Sequence, residues 1–157
     1  MGISLKPITK DNWHEVMDLR PRDDQLTFIY STTRSLAEAY IYAECRPLAV
    51  YDDSALIGFV MYALDPDDGQ YWIYRFLIDR NHQGAGYGRQ TLRELIHLMS
   101  REPDCRFILL GVDPANTGAQ AFYQACGFYL TGGLCAGELV MRYDLCPNGP
   151  VPGKEQP

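Results

Sequence analysis

The sequence predicts an α/β or α+β domain in which helices pack on a mostly antiparallel sheet. Apolar segments with strand-like patterning alternate with segments in which apolar residues recur at helical spacing. Their order along the chain is β-α-α-β-β-β-α-β-α-β-β. The 157 residues suffice for one domain with a buried core, and we place this single domain at residues 1–146.

The chain opens with a strand and two helices. Residues 3–8 predict a short strand, and Thr9 can cap the helix that follows it. Further on, Ser35 and Glu38 have the spacing of a capping box. We therefore expect the second helix to begin there and to run to about Cys45.

A meander of three strands comes next. Its segments are rich in β-branched and aromatic residues, and turn sequences separate them. Asp52-Asp53 forms the first predicted turn and "DPDDG" the second. The predicted strands cover residues 47–53, 54–64 and 70–79.

The second half begins with a glycine-rich loop, after which apolar residues recur at helical spacing. A nearly all-apolar segment then predicts a strand buried on both faces. A helix closed by Gly127 and a hairpin that turns at Gly132-Gly133 complete the domain. Residues 147–157 are rich in proline and glycine, so we expect a flexible tail there.

Composition excludes several classes of protein. Hydrophobic residues make up 46% and charged residues 22%, which is ordinary for a soluble domain. The formal net charge of −6 argues against nucleic acid as a partner. There is no apolar leader and no apolar stretch of membrane-spanning length, so we expect a cytoplasmic protein without a membrane partner. Five cysteines without Cys-x-x-Cys spacing predict reduced thiols and no metal site; they are Cys45, Cys105, Cys126, Cys135 and Cys146.

The loop "QGAGYGRQ" lies between a predicted strand and a predicted helix. A helix N-terminus offers unpaired N–H groups and a partial positive charge, and glycines let an anion approach the backbone. The segment therefore predicts a phosphate site. Walker A and dinucleotide fingerprints fit poorly, because Arg-Gln follows the last glycine and Gly88 comes one residue too early. The alternative is a flexible loop without a ligand.

Two motifs together resemble the GCN5-related N-acetyltransferase (GNAT) superfamily. The pyrophosphate motif Gln/Arg-x-x-Gly-x-Gly/Ala corresponds to residues 83–88. The second motif, Asn-x-x-Ala-x-x-x-Tyr-x-x-x-Gly-Phe, keeps every spacing across residues 116–128. The resemblance covers about residues 3–145. Within the family, "YSTTRSLAEAY" and "RPLAVYDDSALIGFVMY" look most like bacterial spermine/spermidine acetyltransferases.

The resemblance implies a seven-stranded mixed, mostly antiparallel sheet with about four helices, splayed where two strands run parallel. Acetyl-CoA would lie in the splay as co-substrate. Its pantetheine arm would pair with the backbone of Phe76, Leu77 and Ile78 and bond to Asn116. Its pyrophosphate would bind the segment Gln83, Gly84, Ala85, Gly86, Tyr87, Gly88 and Arg89.

The resemblance also makes Tyr123 the general acid that protonates the departing thiolate. Core packing is the alternative for Tyr123, and a helix cap is the alternative for Asn116. No carboxylate precedes Asp79 on the strand before the loop, where several relatives carry a glutamate. A water chain touching Tyr74, or selection of neutral amine, could replace that base. The three histidines are poor candidates: His14, His82 and His97.

The function expected is acetylation of a primary amine of a small molecule, best a polyamine such as spermidine or spermine. The alternatives are acetylation of protein N-termini or lysines, and a non-catalytic acetyl-CoA-binding module. Whether the chain forms a homodimer is left open. Candidates to line the acceptor site are Gln25, Phe28 and Tyr30, although for Phe28 we favour core packing. Carboxylates are available from Asp23, Asp24, Glu138 and residues 65–68.

Overall fold

The computed structural model describes residues 2–145, so the predicted tail at 147–157 lies outside the described residues. Over residues 2–145, a single seven-stranded sheet carries four α-helices. The strands are β1 (Ile3–Pro7), β2 (Cys45–Asp52), β3 (Ala55–Leu64), β4 (Tyr71–Ile78), β5 (Phe107–Val112), β6 (Tyr129–Cys135) and β7 (Glu138–Asp144). The helices are α1 (Trp13–Met17), α2 (Thr32–Ile41), α3 (Tyr87–Met99) and α4 (Thr117–Ala125).

The strands lie in the order β1-β2-β3-β4-β5-β7-β6. Every pair is antiparallel except β4 and β5, which helix α3 connects in parallel. The predicted fold class and the order of the elements are thereby confirmed.

Two cores pack on the two faces of the sheet. The larger includes the inner face of α3, with Leu92, Leu95 and Met99 fully buried against β5 residues such as Ile108. The smaller core contains Val16 of α1 with Phe59 and Met61 of β3, and α2 packs at its edge. The α3–α4 side and the α1–α2 side of the sheet are therefore distinct surfaces.

Strands β4 and β5 separate soon after they meet. Their parallel pairing is limited to Trp72 with Leu109 and Ile73 with Leu110. Beyond these pairs the strands diverge, so the β5-facing edge of β4 opens into a wedge between them. A bulge between β3 and β4 at Tyr74 marks the point where the wedge begins. The expected splay is confirmed.

The helix boundaries predicted for the first half are wrong in detail. Helix α2 begins at Thr32, because Ser31 caps it one turn earlier by accepting the N–H of Arg34. Ser35 lies inside the helix, where its hydroxyl donates to the carbonyl of Ser31. The helix ends at Ile41, so Cys45 belongs to β2.

The first helix also begins later than expected. Its N-cap is Asn12, and the predicted cap Thr9 accepts the N–H of Asp11 in the turn before the helix. The Asn12 side chain accepts the N–H of Thr9, which ties this turn together. Thr9 thus helps to form the approach to the helix and does not cap it.

The final hairpin turns at a different place from the one predicted. Cys135 pairs with Glu138, so the two-residue turn is Ala136-Gly137, with φ of 50° and 82°. Positive φ at both central residues suits the twist of a hairpin. Gly132, with φ of 86°, lies in an irregular stretch of β6. The correction places Glu138 directly after the turn, as the first residue of β7.

Candidate active site

A cleft of about 1050 Å³ fills the wedge between β4 and β5. One wall is β4 with the segment before α2, and the other is β5 with the start of α4 and the β6–β7 turn. The glycine loop closes the wide end. A cavity of this size holds a large ligand, and it contains both predicted motifs.

The glycine loop leads into α3 at the wide end of the cleft. Gly84 and Gly86 have φ of 83° and 86°, a conformation that L side chains rarely adopt. Gly86 is the N-cap of α3 and provides no side chain to bond the first N–H groups of the helix. Those groups are available to an anion, as the sequence predicts.

Not all of the predicted loop residues face the cleft. Gln83, Gly84, Gly86, Gly88 and Arg89 line it. Ala85 is exposed and does not line the cleft. The side chain of Tyr87 points away from the cleft, and its hydroxyl donates to the Asp52 carboxylate at 2.8 Å. Only the backbone of Tyr87 can therefore contact a ligand in the cleft.

The side chain of Gln83 holds the loop in place. Its amide nitrogen donates to the Ile78 carbonyl at 2.8 Å and to Gln25 at 3.0 Å. Its oxygen accepts from Arg22 at 2.7 Å. Gln25, which was expected to line the acceptor site, lines the cleft and accepts this hydrogen bond from Gln83. The loop is thus fixed to both β4 and the segment before α2.

The three predicted pantetheine residues lie on the open edge of β4. Phe76, Leu77 and Ile78 pair with β3 on one side, and all three line the cleft on the other. The Ile78 carbonyl already accepts from Gln83. The backbone between Tyr74 and Ile78 therefore presents an unpaired strand edge to an extended ligand.

Asn116 caps helix α4, and its side-chain oxygen accepts the N–H of Ala119 at 3.1 Å. It also lines the cleft. The cap uses the oxygen only, so the amide nitrogen can donate to a ligand. The two roles considered from the sequence are compatible in this geometry.

Tyr123 lines the cleft from α4 inside an aromatic cluster. Its ring centroid lies 5.2 Å from Phe122, 5.6 Å from Phe128 and 6.2 Å from Phe76. Its hydroxyl forms no hydrogen bond within residues 2–145. Burial raises the pKa of Tyr123 above its ordinary value, so the hydroxyl stays protonated at neutral pH.

Tyr74 donates a 2.6 Å hydrogen bond to Asp65, and both residues line the cleft. Burial and this bond raise the pKa of Tyr74. A phenol that is harder to ionise is a poor base, so Tyr74 could act only as a hydrogen-bonding group. The contact between a β4 residue and the 65–69 turn was not predicted.

Arg75 stands on the α2 side of β4. It forms a 2.7 Å ion pair with Glu38 and donates to Ser35, so α2 is held against the sheet. Tyr30 lies between two guanidinium groups, 3.6 Å from Arg34 and 4.7 Å from Arg75. Glu38, taken from the sequence as a cap residue, serves this ion pair.

Carboxylates are the main charged groups of the acceptor side. Of the predicted ones, Asp23 pairs with Arg80 and does not line the cleft. Tyr30 lines the cleft as expected. Phe28 lines it too, where core packing was favoured, and none of the three histidines does. The sequence did not single out Asp113, which reaches the cleft from the end of β5. The lining carboxylates are Asp24, Asp65, Asp67, Asp68, Asp113 and Glu138.

Within residues 2–145, no group of three or more histidine, cysteine or acidic side chains is arranged to hold a metal ion. Over the same part of the chain, no helix is long and apolar enough to cross a membrane.

Residues 13–128 match the acetyltransferase (GNAT) family, and the chain belongs to that family. It is accordingly an acyl-CoA-dependent N-acetyltransferase. It is similar to a spermine/spermidine N(1)-acetyltransferase of Bacillus subtilis strain 168. The two are 35% identical over 152 residues, which cover 92% of this chain and 100% of the relative.

Solved structures share the fold. An acetyltransferase from Thermus thermophilus has a TM-score of 0.73 and 22% identity, covering 92% of this chain and 98% of its own. The PaiA N-acetyltransferase from Thermoplasma acidophilum, solved in complex with coenzyme A, has a TM-score of 0.69 and 16% identity. It covers 92% of this chain and 100% of its own. At these identities the likeness concerns the fold alone.

Proposed function

We propose that this chain transfers the acetyl group of acetyl-CoA to a primary amine of a polyamine such as spermidine or spermine. The observation that carries the proposal is that one cleft has anion-binding groups at its wide end and carboxylates elsewhere along its walls. The wide end has the N–H groups of α3 and Arg89, which suit an anion. The turn at 65–68 and the β6–β7 turn bring carboxylates that suit a polycation.

The similar Bacillus subtilis protein supports this acceptor class, because it is a spermine/spermidine N(1)-acetyltransferase and the similarity extends over nearly the whole chain. A monoamine would use one carboxylate. A polyamine would use several, and six carboxylates line the described part of the cleft.

The residues present fit acetyl-CoA. The first turn of α3 would hold the pyrophosphate, with positive-φ glycines keeping side chains off its path. The open edge of β4 from Phe76 to Ile78 and the amide nitrogen of Asn116 would hold the pantetheine arm. The acetyl thioester, once bound, supplies the activated acyl group.

Tyr123 would serve as the proton donor to the departing sulfur. A phenol held protonated by its surroundings is ready to donate across the neutral range. The same burial makes the phenolate costly, so donation begins as a hydrogen bond and becomes transfer only as the carbon–sulfur bond breaks. The proton that the new amide nitrogen releases can restore the phenol through solvent.

A thiol-release assay with a panel of acceptors tests the proposal. Spermidine and spermine should be turned over with higher kcat/KM than aminoglycosides or peptides carrying a free N-terminus or lysine. Good turnover of a peptide with none of any polyamine would move the function to protein acetylation. Coenzyme A binding without turnover of any amine would indicate a binding module. The cytoplasmic location stays a prediction, and whether the chain forms a homodimer stays open.

A further inference from the structure

The carboxylates that line the cleft differ in whether they have a partner. Four are engaged: Asp24 pairs with Arg22, Asp65 accepts from Tyr74, Asp68 accepts from Trp72, and Asp113 accepts the N–H of Ala115. Within residues 2–145, the side chains of Asp67 and Glu138 have neither a hydrogen bond nor an ion pair. Asp67 is exposed on the 65–69 turn. Glu138 is also exposed, and it lines the cleft from the start of β7.

Glu138 rests on Gly111 at the narrow end of the cleft. A β-carbon placed on Gly111 would lie 2.6 Å from a carboxylate oxygen of Glu138. Gly111 directly follows Leu110, the last β5 residue that pairs with β4. An extended ligand whose anionic part is bound at the wide end of the wedge would bring its far end to this point.

The two faces of the sheet place Glu138 opposite Tyr123. Side chains alternate along a strand, and Leu110 and Val112 point into the core on the α3–α4 side. Gly111 therefore faces the α1–α2 side, where Arg75 meets α2. Tyr123 approaches from α4, with its ring on Phe76. A carboxylate and a phenol thus line the cleft from opposite faces of the sheet.

The charged groups that face Glu138 come from two strands. Asp113 extends from the end of β5, and Arg75 lies on β4. Burial, and then Asp113, raise the pKa of the Glu138 carboxyl, while Arg75 lowers it. A carboxylate with a raised pKa is a stronger base than an ordinary one, and the nearby guanidinium favours loss of a proton from a cationic amine.

We propose that Glu138 is the general base that deprotonates the acceptor amine. The inference rests on the proposed acetyl transfer to an amine. The ammonium gives a proton to the Glu138 carboxylate, which becomes a carboxylic acid. The amine lone pair then forms the carbon–nitrogen bond as the carbon–sulfur bond breaks. Tyr123 protonates the sulfur and regains a proton, through solvent, from the new amide nitrogen. Glu138 releases its proton to water after turnover, so that one proton leaves the enzyme in each cycle.

The Glu138→Gln variant tests this through the pH profile of kcat/KM for the amine. With the base present, the wild type uses the ammonium form, so its profile should be flat between the pKa of Glu138 and that of the amine. Without the base, only neutral amine reacts. The variant should then lose about 10²- to 10⁴-fold near pH 7. It should gain about tenfold per pH unit up to the amine pKa, near 10.4 as for lysine.

Asp67→Asn is the matched control. It removes an equal charge from the same cleft, and its side chain is also unpaired within residues 2–145. Its effect should be confined to the KM for spermidine, with kcat and the shape of the pH profile kept. Calorimetry provides a readout besides turnover: Glu138→Gln and Asp67→Asn should weaken spermidine binding to the coenzyme A complex by similar factors. A Glu138→Gln variant that changes only KM, with a flat profile, would refute the inference.

A second variant moves the carboxylate without removing it. Gly111→Ala forces the Glu138 carboxylate aside, so kcat should fall while the flat pH profile is kept. In the Glu138→Gln background the same substitution should cost nothing further, because no base is left to displace. An equal loss in both backgrounds would mean that the new methyl group simply blocks the cleft, which contradicts the proposal.

The acceptor screen on the wild type is done first, and the variants are compared on the amine that it acetylates fastest. Failure of the polyamine assignment and failure of the Glu138 assignment therefore give different results. The melting temperature of each variant, measured on the same preparation, shows that the domain is folded.

Discussion

Removing the hydroxyl of Tyr123 should slow the reaction without unfolding the protein. Tyr123→Phe keeps the ring and its contacts with Phe76, Phe122 and Phe128. The hydroxyl has no hydrogen bond within residues 2–145, so none is broken. A net hydrogen bond is worth about 1 kcal/mol, and the free energy of unfolding should change by less than about that amount.

The effect on catalysis should be much larger. General acid catalysis contributes about 10²- to 10⁴-fold, so loss of the donor should raise the barrier by about 3 to 5 kcal/mol. The loss should appear in kcat, because the donor acts as the carbon–sulfur bond breaks. The KM for acetyl-CoA should change little, because the ground state does not use the donor.

The assay is thiol release at saturating acetyl-CoA and amine, with single-turnover measurements to establish that chemistry limits the rate. Tyr143→Phe is the matched control. It makes the same chemical change in a ring 5.3 Å from Phe128, outside the main cleft, and kcat should be unaffected. Wild-type kcat in Tyr123→Phe would remove this residue from the mechanism and leave it a packing role.

Three further outcomes follow from the fold and the cleft. Gly86→Val should weaken coenzyme A binding sharply, measured by calorimetry, while the domain stays folded. Gly69→Val is the control: Gly69 has a similar φ of 68° but does not line the cleft, so the affinity for coenzyme A should be kept. Raising the salt concentration should raise the KM for spermidine more than that for a monoamine, because screening weakens multiple charge contacts. Leu95→Ala, at a fully buried site, should cost about 2 to 5 kcal/mol of stability by denaturant titration.

The sequence predicts this fold well because most of its signals are local. Apolar periodicity predicts the seven strands and four helices of residues 2–145 in order, and Gly127 closes α4 with φ of 105°. The errors come from competing local signals. Ser31 and Ser35 both suit an N-cap, and the structure uses Ser31 because Ser35 is buried against the sheet. Gly132-Gly133 and Ala136-Gly137 both suit a turn, and pairing of β6 with β7 uses the second.

The site is less predictable because its decisive contacts join residues distant in sequence. The motifs identify the glycine loop, Asn116 and Tyr123 as cleft residues, and the structure places Asn116, Tyr123 and most of the loop there. No pattern reports that Glu38 pairs with Arg75, or that Glu138 lies on Gly111. The contact between Glu138 and Gly111 depends on the register of β7 against β5, and that register follows from the sequence only if the hairpin turn is placed at Ala136-Gly137.

The most direct test of the central claim is a crystal structure of the wild-type chain with coenzyme A and spermidine, a pair that cannot react. The pyrophosphate should lie on the first N–H groups of α3, and the sulfur should lie within hydrogen-bonding reach of the Tyr123 hydroxyl. A primary amine of spermidine should lie beside the Glu138 carboxylate. Coenzyme A bound away from residues 83–89, or its sulfur turned away from Tyr123, would contradict it.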